Sequence, residues 1–293
     1  DTIVIYARPG TPQPVTPLSY CSSEVIPLLT VTSNIPNAVY TWYETPTLVG
    51  TNLFLTQNSF YNMGTRVVLR DTVYRYYITQ SINNCEGTSP AQLDVSVHPL
   101  PILTLSGLSS QYCQSDPVVT IVGASNRQYQ SSLFISNQIP SSVSGMLVNA
   151  ANNQISMGYF NPGGENALTE KLYTVKYIYT DNFGCKDSVY KDVKVFPLPR
   201  VSFNTLDTTY CTYTNFKINL FGNPPSGTFQ GPGVNAGEFN PLVAASSGFG
   251  NKTISYSFTD INGCFNQSFQ TVKVYPVPTA SFSVSSLCVG DSI

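Results

Sequence analysis

Short runs of alternating apolar and polar residues recur along the whole chain. The clearest lie in residues 72–79, 172–180 and 253–259, and in the last of these Ile254, Tyr256 and Phe258 share one face while Ser and Thr occupy the other. Because side chains alternate between the two faces of a strand, this period predicts strands with one buried and one wet side. No long stretch has helical spacing, and 21 prolines and 20 glycines interrupt the chain. The pattern therefore predicts an all-β fold.

The strands belong to a repeating unit. A Val-x-Val-aromatic-or-His-Pro-x-Pro motif occurs at residues 95–101, 193–199 and 272–278, and each copy predicts a closing strand that runs into a proline linker. Tyr-Cys pairs open the units at Cys21, Cys113 and Cys211, and Leu287-Cys288 opens a further copy. Late in each unit, a predicted strand and turn are followed by a cysteine. The same hairpin is therefore predicted in all three units, ending at Cys85, Cys185 and Cys264. Such repetition predicts a row of similar modules.

The motifs place the module boundaries. Residues 1–8 are predicted to be the tail of a preceding module, and residues 278–293 the start of a truncated fourth one. Between them lie three predicted β-sandwich modules of immunoglobulin-like size, 9–99, 100–198 and 199–277, which we call repeats 1, 2 and 3. The expected architecture is a tandem, elongated array of Ig-like or PKD-like antiparallel β-sandwiches with one disulfide per module. Trp42, the only tryptophan, is expected in a core rather than in a ligand-stacking role.

The cysteines are the most chemically informative residues. If each module folds as its own unit, the opening cysteine pairs with the hairpin cysteine of the same repeat, which predicts Cys21 with Cys85, Cys113 with Cys185 and Cys211 with Cys264. Cys288 is then left unpaired. A metal or redox site is the alternative, but the chain has no Cys-x-x-Cys and only one histidine, His98, in a linker. Structural disulfides are therefore favoured, and they indicate secretion.

Composition and motifs exclude several classes of function. Charged residues make up 10% of the chain with a net charge of -2, so no basic stripe is present to bind nucleic acid, and no apolar run approaches the ~20 residues needed to insert into a membrane. No motif for a nucleophile, a zinc protease, a P-loop or an EF-hand occurs. We predict a non-enzymatic chain with no cofactor and no metal. Two pairs of carboxylates and two turn aspartates could in principle form catalytic or calcium sites, but solvated and turn positions explain them better. These residues are Glu165, Glu170, Asp187, Asp192, Asp181 and Asp260.

Four segments together resemble a known class of protein. They are the Tyr-Cys opening, the Thr-Asp-x-x-Gly-Cys hairpins at residues 180–185 and 259–264, the Gly-Thr-Phe-Gln-Gly-Pro-Gly-Val segment at 227–234 followed by Phe239-Asn240-Pro241, and the Val-x-Val-Tyr-Pro-x-Pro ending. They resemble the Ig-like and PKD-like repeats of very large Bacteroidetes surface proteins, most similar in type to SprB-like gliding-motility adhesins exported by type IX secretion. The resemblance implies an extracellular, cell-surface location. It also implies partnership with the secretion and gliding machinery, with neighbouring modules and with a surface polysaccharide or substratum.

Two hypotheses for function follow. In the first, the chain is a non-catalytic segment of a long adhesin stalk whose Pro-x-Pro linkers act as semi-rigid spacers between modules. In the second, the modules are accessory or carbohydrate-binding units of a secreted polysaccharide-active enzyme, with Tyr40, Tyr43 or Tyr129 as exposed sugar-stacking residues. A flat row of exposed aromatic side chains distinguishes the two, since a sugar site requires one and a stalk does not. The first hypothesis is preferred.

Overall fold

The structure is a computed structural model that describes residues 3–14, 18–48, 53–54, 60–137, 143–146, 155–164, 168–212 and 216–283. Cys288 and Glu165, named above, lie outside these residues. The all-β prediction is confirmed, because strands dominate the part of the chain that is described. Its helical content is one four-residue helix, α1 (Pro241–Ala244), and two 3-10 turns at Pro162–Gly164 and Ala245–Ser247.

The strands fall into three groups along the chain. Those in repeat 1 are β1 (Gln13–Pro14), β2 (Leu18–Cys21), β3 (Leu29–Thr32), β4 (Val39–Tyr43), β5 (Leu53–Phe54), β6 (Phe60–Tyr61), β7 (Thr72–Ile82), β8 (Cys85–Glu86) and β9 (Ala91–His98). Those in repeat 2 are β10 (Leu103–Ser106), β11 (Gln111–Cys113), β12 (Val119–Ser125), β13 (Tyr129–Ser136), β14 (Val143–Met146), β15 (Ile155–Phe160), β16 (Lys171–Asp181) and β17 (Lys186–Phe196). Those in repeat 3 are β18 (Ser202–Phe203), β19 (Thr209–Cys211), β20 (Ile218–Asn219), β21 (Gly222–Asn223), β22 (Thr228–Gln230), β23 (Val234–Asn235), β24 (Glu238–Phe239), β25 (Gly250–Thr259) and β26 (Phe265–Tyr275).

One sheet pattern recurs in all three groups. Its orders are β2-β9-β7-β4-β5, β11-β17-β16-β13 and β19-β26-β25-β22. The opening strand lies parallel to the closing strand, and the closing strand pairs antiparallel with the long strand that precedes it, as β9 does with β7 and β26 does with β25. Smaller sheets complete the layers, with orders β1-β3-β6, β10-β12-β15-β14, β18-β21 and β20-β24-β23. The repeated sequence motifs are therefore repeated strand positions.

The alternating residues form the cores. Trp42 is fully buried in β4 with Ile78 and Val95 around it, which confirms the prediction of a core tryptophan. Phe239, Ile254 and Tyr256 form the equivalent cluster in repeat 3. In repeat 2 the predicted inward face of β16 is confirmed, since its alternating members are fully buried; they are Val175, Tyr177 and Tyr179.

By contacts between residues, the chain divides into two compact units. The first comprises residues 1–108, 119–160 and 174–192, and the second comprises residues 109–118, 161–173 and 193–293. The bounds of these units differ from the boundaries predicted for the repeats. The repeat boundaries stay a prediction. Each of the two sites described below lies within a single unit.

Candidate functional site

Parallel pairing of the opening and closing strands brings two sequence motifs together. Cys21 is in register with His98, Cys113 with Phe196 and Cys211 with Tyr275. In each case the next backbone N–H, that of Ser22, Gln114 or Thr212, donates a hydrogen bond to the carbonyl of the same His98, Phe196 or Tyr275. The Tyr-Cys motif and the aromatic residue of the proline linker thus form one small platform at the end of each closing strand.

The disulfide pairing predicted from the sequence is wrong. Cys21 is bonded to Cys185, with 5.4 Å between their Cα atoms, and Cys113 is bonded to Cys264 at the same Cα distance. Both Cα distances fall in the normal disulfide range. Cys85 and Cys211, predicted to be bonded, are free thiols in this structure. Each bond therefore joins the opening cysteine of one repeat to the hairpin cysteine of the next.

The length of the closing strand explains the error. Cys185 directly precedes β17, whereas Cys113 pairs with the residue that ends β17, Phe196. Those 11 residues (196 minus 185) span about 36 Å at ~3.3 Å per residue, while a disulfide requires Cα atoms within about 7 Å. The same interval separates Cys264 from Tyr275, the partner of Cys211. Two cysteines of one repeat thus lie at opposite ends of one strand.

We call the region around Cys21–Cys185 the first joint and the region around Cys113–Cys264 the second joint. The hairpin in the first joint is organised by Asp181, whose side chain is fully buried. Its Oδ1 accepts hydrogen bonds from the backbone N–H groups of Phe183 (2.9 Å) and Cys185 (2.8 Å). Its Oδ2 accepts one from Nε of Arg127 at 2.6 Å. Gly184 completes the turn at a φ of 86°, where a side chain would be strained. The carboxylate thus shapes the turn that presents Cys185 and forms an ion pair with Arg127.

Arg127 connects this hairpin to repeat 1. Its Nη2 donates to Oδ1 of Asp71 at 2.9 Å, and Nδ1 of His98 lies 2.7 Å from the same oxygen. The His98 ring also stacks on the Phe183 ring, with 3.8 Å between centroids and 13° between planes, and the Arg127 guanidinium lies 5.1 Å from the Phe183 centroid. A chain of ion pairs and an aromatic stack therefore lie beside the Cys21–Cys185 disulfide.

These contacts affect the ionisation of Asp71 and Arg127. Partial burial raises the pKa of the Asp71 carboxyl, but the hydrogen bonds from His98 and Arg127 outweigh burial, so its pKa lies below the ordinary value. Burial lowers the pKa of Arg127, and the hydrogen bonds to Asp71 and Asp181 raise it above its ordinary value. The ion pairs thus favour the charged forms of Asp71 and Arg127 at neutral pH.

The second joint repeats the hairpin with different neighbours. Oδ1 of Asp260 accepts from the N–H groups of Asn262 and Cys264, each at 2.9 Å, and Gly263 has a φ of 84°. Asn262 occupies the position of Phe183 and lines a shallow cleft together with Phe196. Nδ2 of Asn266 donates to the carbonyl of Pro199 in the linker at 2.8 Å. The aspartate-capped turn is thus the same in both joints, but Asn262 stands where the first joint has the stacked Phe183 ring.

The hairpin in repeat 1 differs from the other two, contrary to the single hairpin predicted. Ile82 pairs with Cys85 across a two-residue turn in which Asn83 and Asn84 both have positive φ. This geometry is that of a tight asparagine-rich hairpin rather than an aspartate-capped turn. Cys85 is half-buried at the start of the return strand β8.

One feature of the joints was missed in the sequence. An acidic residue follows the opening cysteine by three positions and accepts a hydrogen bond from its backbone N–H at 2.8 Å, as Glu24 does for Cys21 and Asp116 does for Cys113. The N–H of the acidic residue donates in turn to the cysteine carbonyl. The spacing Cys-x-x-Glu/Asp was therefore a readable signal of a fixed turn beside each bonded opening cysteine.

The other candidates from the sequence do not assemble into a site. Among the described residues, no group of three or more His, Cys, Asp and Glu side chains is placed to hold a metal ion. Glu170 forms a surface ion pair with Lys194, Asp192 accepts from Thr174, and Asp187 accepts from the N–H of Ser188. Within the same residues, no helix is long and apolar enough to cross a membrane.

The proposed sugar-stacking tyrosines are not exposed. Tyr40 and Tyr43 are buried, and Tyr129 is half-buried with its ring edge against Tyr179. Burial and a hydrogen bond to Glu86 raise the pKa of Tyr43 to about 12. A different set of aromatic side chains is exposed on the outer face of β26: Phe265, Phe269 and Tyr275.

Comparison with known proteins gives only distant likenesses. No protein-family model and no curated sequence matches the chain. The N-terminal eight Ig domains of Down syndrome cell adhesion molecule align over 92% of this chain and 37% of that one, at 10% identity and a TM-score of 0.43. Human CDH23 EC21-23 aligns over 91% and 100%, at 11% identity and a TM-score of 0.32. Extracellular domains 3–5 of Drosophila OTK align over 94% and 100%, at 11% identity and a TM-score of 0.28. At these TM-scores the likenesses carry no inference about ligands or partners.

Proposed function

We propose that this chain is a non-catalytic stalk segment of a long secreted cell-surface adhesin, which presents adhesive regions in gliding motility or surface attachment. The observation that carries the proposal is the pair of disulfides that join successive repeats, Cys21–Cys185 and Cys113–Cys264. A bond inside a module stabilises that module alone. A bond between modules joins two successive modules covalently and so limits their separation under tension.

The chemistry around the bonds supports the same role. The first joint combines the disulfide with the Asp71–Arg127–Asp181 ion pairs and the His98–Phe183 stack. In the described part of the chain, these groups do not belong to a cluster of three or more His, Cys, Asp and Glu side chains that could hold a metal ion. The arrangement supports a role in holding two repeats together.

The cellular setting is part of the proposal. Disulfides persist in oxidising compartments, which supports an extracellular location. The motif resemblance described above supports export by type IX secretion and a place on the surface of a gliding bacterium. Neighbouring modules are then the first partners of each repeat, and a polysaccharide or substratum is the distal one.

Small-angle X-ray scattering tests the stalk. Three modules in line, each ~35 Å long from about ten residues per strand, give a rod of ~100 Å with a radius of gyration of ~30 Å. A compact globule of this length would have a radius of gyration of ~19 Å. The rod value, with an elongated distance distribution, is the expected result. A radius of gyration at the globule value would contradict the stalk.

A second function has one observation in its favour. Phe265, Phe269 and Tyr275 are 49%, 56% and 40% exposed on the outer face of β26. Gln267 lies between the first two, and Thr271 and Lys273 lie between the last two. Such a row suits the stacking of sugar rings in an accessory carbohydrate-binding module. Glycan-array binding by the whole chain that is lost in Phe269→Ala would favour this function. Binding that survives in Phe269→Ala, or no binding, leaves the stalk as the better account.

A further inference from the structure

The platform in repeat 3 has the same form as the two that carry disulfides. Cys211 and Tyr275 are register partners, as Cys21 and His98 are, and the N–H of Thr212 donates to the Tyr275 carbonyl at 3.1 Å. The corresponding bonds are 2.7 Å at Ser22 and 3.0 Å at Gln114. The three platforms thus share one backbone geometry.

The occupancy of the platforms differs. A hairpin covers the platforms at Cys21 and Cys113. On the Cys21 platform the linker side chain is protected, since His98 is only 7% exposed. On the third, the thiol of Cys211 is free and Tyr275 is 40% exposed. An exposed aromatic ring beside a free thiol is an apolar and reactive surface of the kind that the first joint buries.

We propose that the Cys211–Tyr275 platform is a docking site for the Asp-x-x-Gly-Cys hairpin of a further repeat module, to which Cys211 becomes disulfide-bonded. This proposal rests on the proposed function, since it extends the row of repeats by one joint. The occupant is identified by continuity, because the equivalent platform receives a hairpin of this type at Cys185 and again at Cys264. The bonds then form a continuous ladder in which every repeat is bonded to the one after it.

The chemistry of the bond is thiol–disulfide exchange. The two cysteine thiols lose two protons and two electrons in total and form one S–S bond. A small-molecule disulfide such as oxidised glutathione accepts the electrons and leaves as two thiols. Docking of the hairpin on Tyr275 holds the two sulfur atoms together and so favours this pair over others.

The test uses the full chain with a second copy of residues 200–278 inserted between Pro278 and Thr279. In the inserted copy the exposed residues Thr205 and Thr271 are changed by Thr205→Ser and Thr271→Ser, so that its two cysteine peptides differ in mass from the originals. This gives Cys211 a following repeat with an aspartate-capped hairpin. After refolding in a glutathione redox buffer, free thiols are alkylated and disulfide-linked peptides are identified by mass spectrometry. The expected result is loss of Cys211 alkylation and a peptide that joins Cys211 to the inserted copy of Cys264. In the unmodified chain Cys211 is expected to be alkylated.

Two variants sharpen the result. Serine in place of the inserted copy of Cys264 is expected to restore the alkylation of Cys211, whereas serine in place of the inserted copy of Cys211 leaves the new bond intact. A bond between the inserted copies of Cys211 and Cys264, or a Cys211 that stays alkylated, would overturn the proposal. The Cys21–Cys185 and Cys113–Cys264 peptides separate this failure from that of the stalk. If they form while Cys211 stays free, only the docking site is refuted, and if they also fail, the joints that support the stalk are refuted too.

Discussion

A single buried carboxylate organises the first joint. Asp181 is an acceptor for two backbone N–H groups and for Arg127, and its full burial prevents water from taking their place. Buried charges are tolerated in proteins when they are paired and hydrogen-bonded, and they are costly when the partner is removed. The stability of the hairpin that presents Cys185 therefore depends on this side chain.

We expect Asp181→Ala to lower the free energy of unfolding by about 3–5 kcal/mol, the usual cost of breaking a buried ion pair. Asp260→Ala is the matched control, because Asp260 makes the same turn hydrogen bonds and the ion pairs found in the described residues do not include it. That change is expected to cost about 1–2 kcal/mol. Urea denaturation of both variants measures the difference. Equal losses would show that Arg127 contributes nothing through Asp181.

The ionisation of Asp71 gives the first joint a pH dependence. The folded protein lowers its pKa, so Asp71 stabilises the fold above its unfolded pKa of ~3.9, and this contribution is lost as the pH falls through the lower folded value. The groups that stabilise the charge are His98 and Arg127. Asp71→Asn removes the charge at every pH.

We therefore expect the unmodified chain to be more stable than Asp71→Asn at pH 7. The gap should close as the pH is lowered below about 4, because Asp71 itself becomes protonated in the unmodified chain. The other carboxylates titrate in both proteins and cancel in the comparison. Denaturation curves recorded from pH 7 to pH 2 provide the measurement. Half of the Asp71 side chain is exposed, so solvent screening keeps the gap small. A gap that stays constant with pH would exclude an ionic role for Asp71.

At the scale of elements, close packing of a tyrosine on a glycine recurs in two repeats. A Cβ atom at Gly123 would lie 2.5 Å from the Tyr177 ring, and one at Gly222 would overlap the Tyr256 ring. The hydroxyl of Tyr256 donates to the carbonyl of Pro224 and accepts from the N–H of Gly227 at 2.7 Å. The tyrosine is therefore held at both its ring and its hydroxyl.

Gly222→Ala is expected to destabilise the second unit by about 1–3 kcal/mol, the usual cost of overfilling a packed core. Gly10→Ala is the control, since no atom lies within 4 Å of its added Cβ. That variant is expected to change the stability by less than about 0.5 kcal/mol. Thermal denaturation of both variants tests the pair. An unchanged stability in Gly222→Ala would mean that the Tyr256 ring moves without cost.

The elements also show where prediction from the sequence succeeds and fails. Alternation on β16 and β25 is a local property that follows from burial of one face, so the inward residues could be predicted from spacing alone. The parallel pairing of Tyr112 with Val195 joins residues far apart in the chain, and no local pattern encodes it. The cysteine pairs depend on that pairing, because it places Cys113 at the far end of β17 from Cys185. The joints were therefore inaccessible to reasoning that treated each repeat separately.

At the scale of the whole chain, the two disulfides interleave. Cys113 lies inside the loop closed by Cys21–Cys185, and Cys185 lies inside the loop closed by Cys113–Cys264. In the chain-entropy model each loop stabilises the fold by about 5 kcal/mol as an upper figure, and interleaved loops do not add independently. A second consequence concerns mechanical extension, since each bond provides a shorter covalent route along the chain.

The covalent routes from Cys21 to Cys264 can be compared by their extended lengths, at ~3.5 Å per residue. The reduced chain extends to about 850 Å between these two residues. The shortest route through both bonds follows only the segment 113–185 and extends to about 250 Å. With the second bond absent the route follows 185–264 and extends to about 280 Å, and with the first absent it follows 21–113 and extends to about 320 Å. Either bond alone thus limits extension almost as well as both.

Single-molecule pulling on the two ends of the chain tests this redundancy, in a Cys85→Ser, Cys211→Ser, Cys288→Ser background that removes the three cysteines outside the two bonds. Cys113→Ser is expected to lengthen the fully extended chain by only ~25 Å and Cys21→Ser by ~70 Å, because the remaining bond still bypasses most of the chain. Removing both cysteines, or adding a reductant, is expected to add ~600 Å. Equal extension with and without reductant would mean that neither bond forms. Large gains in either single variant would mean that the loops do not interleave, and the chain would then lack the redundancy that suits a load-bearing stalk.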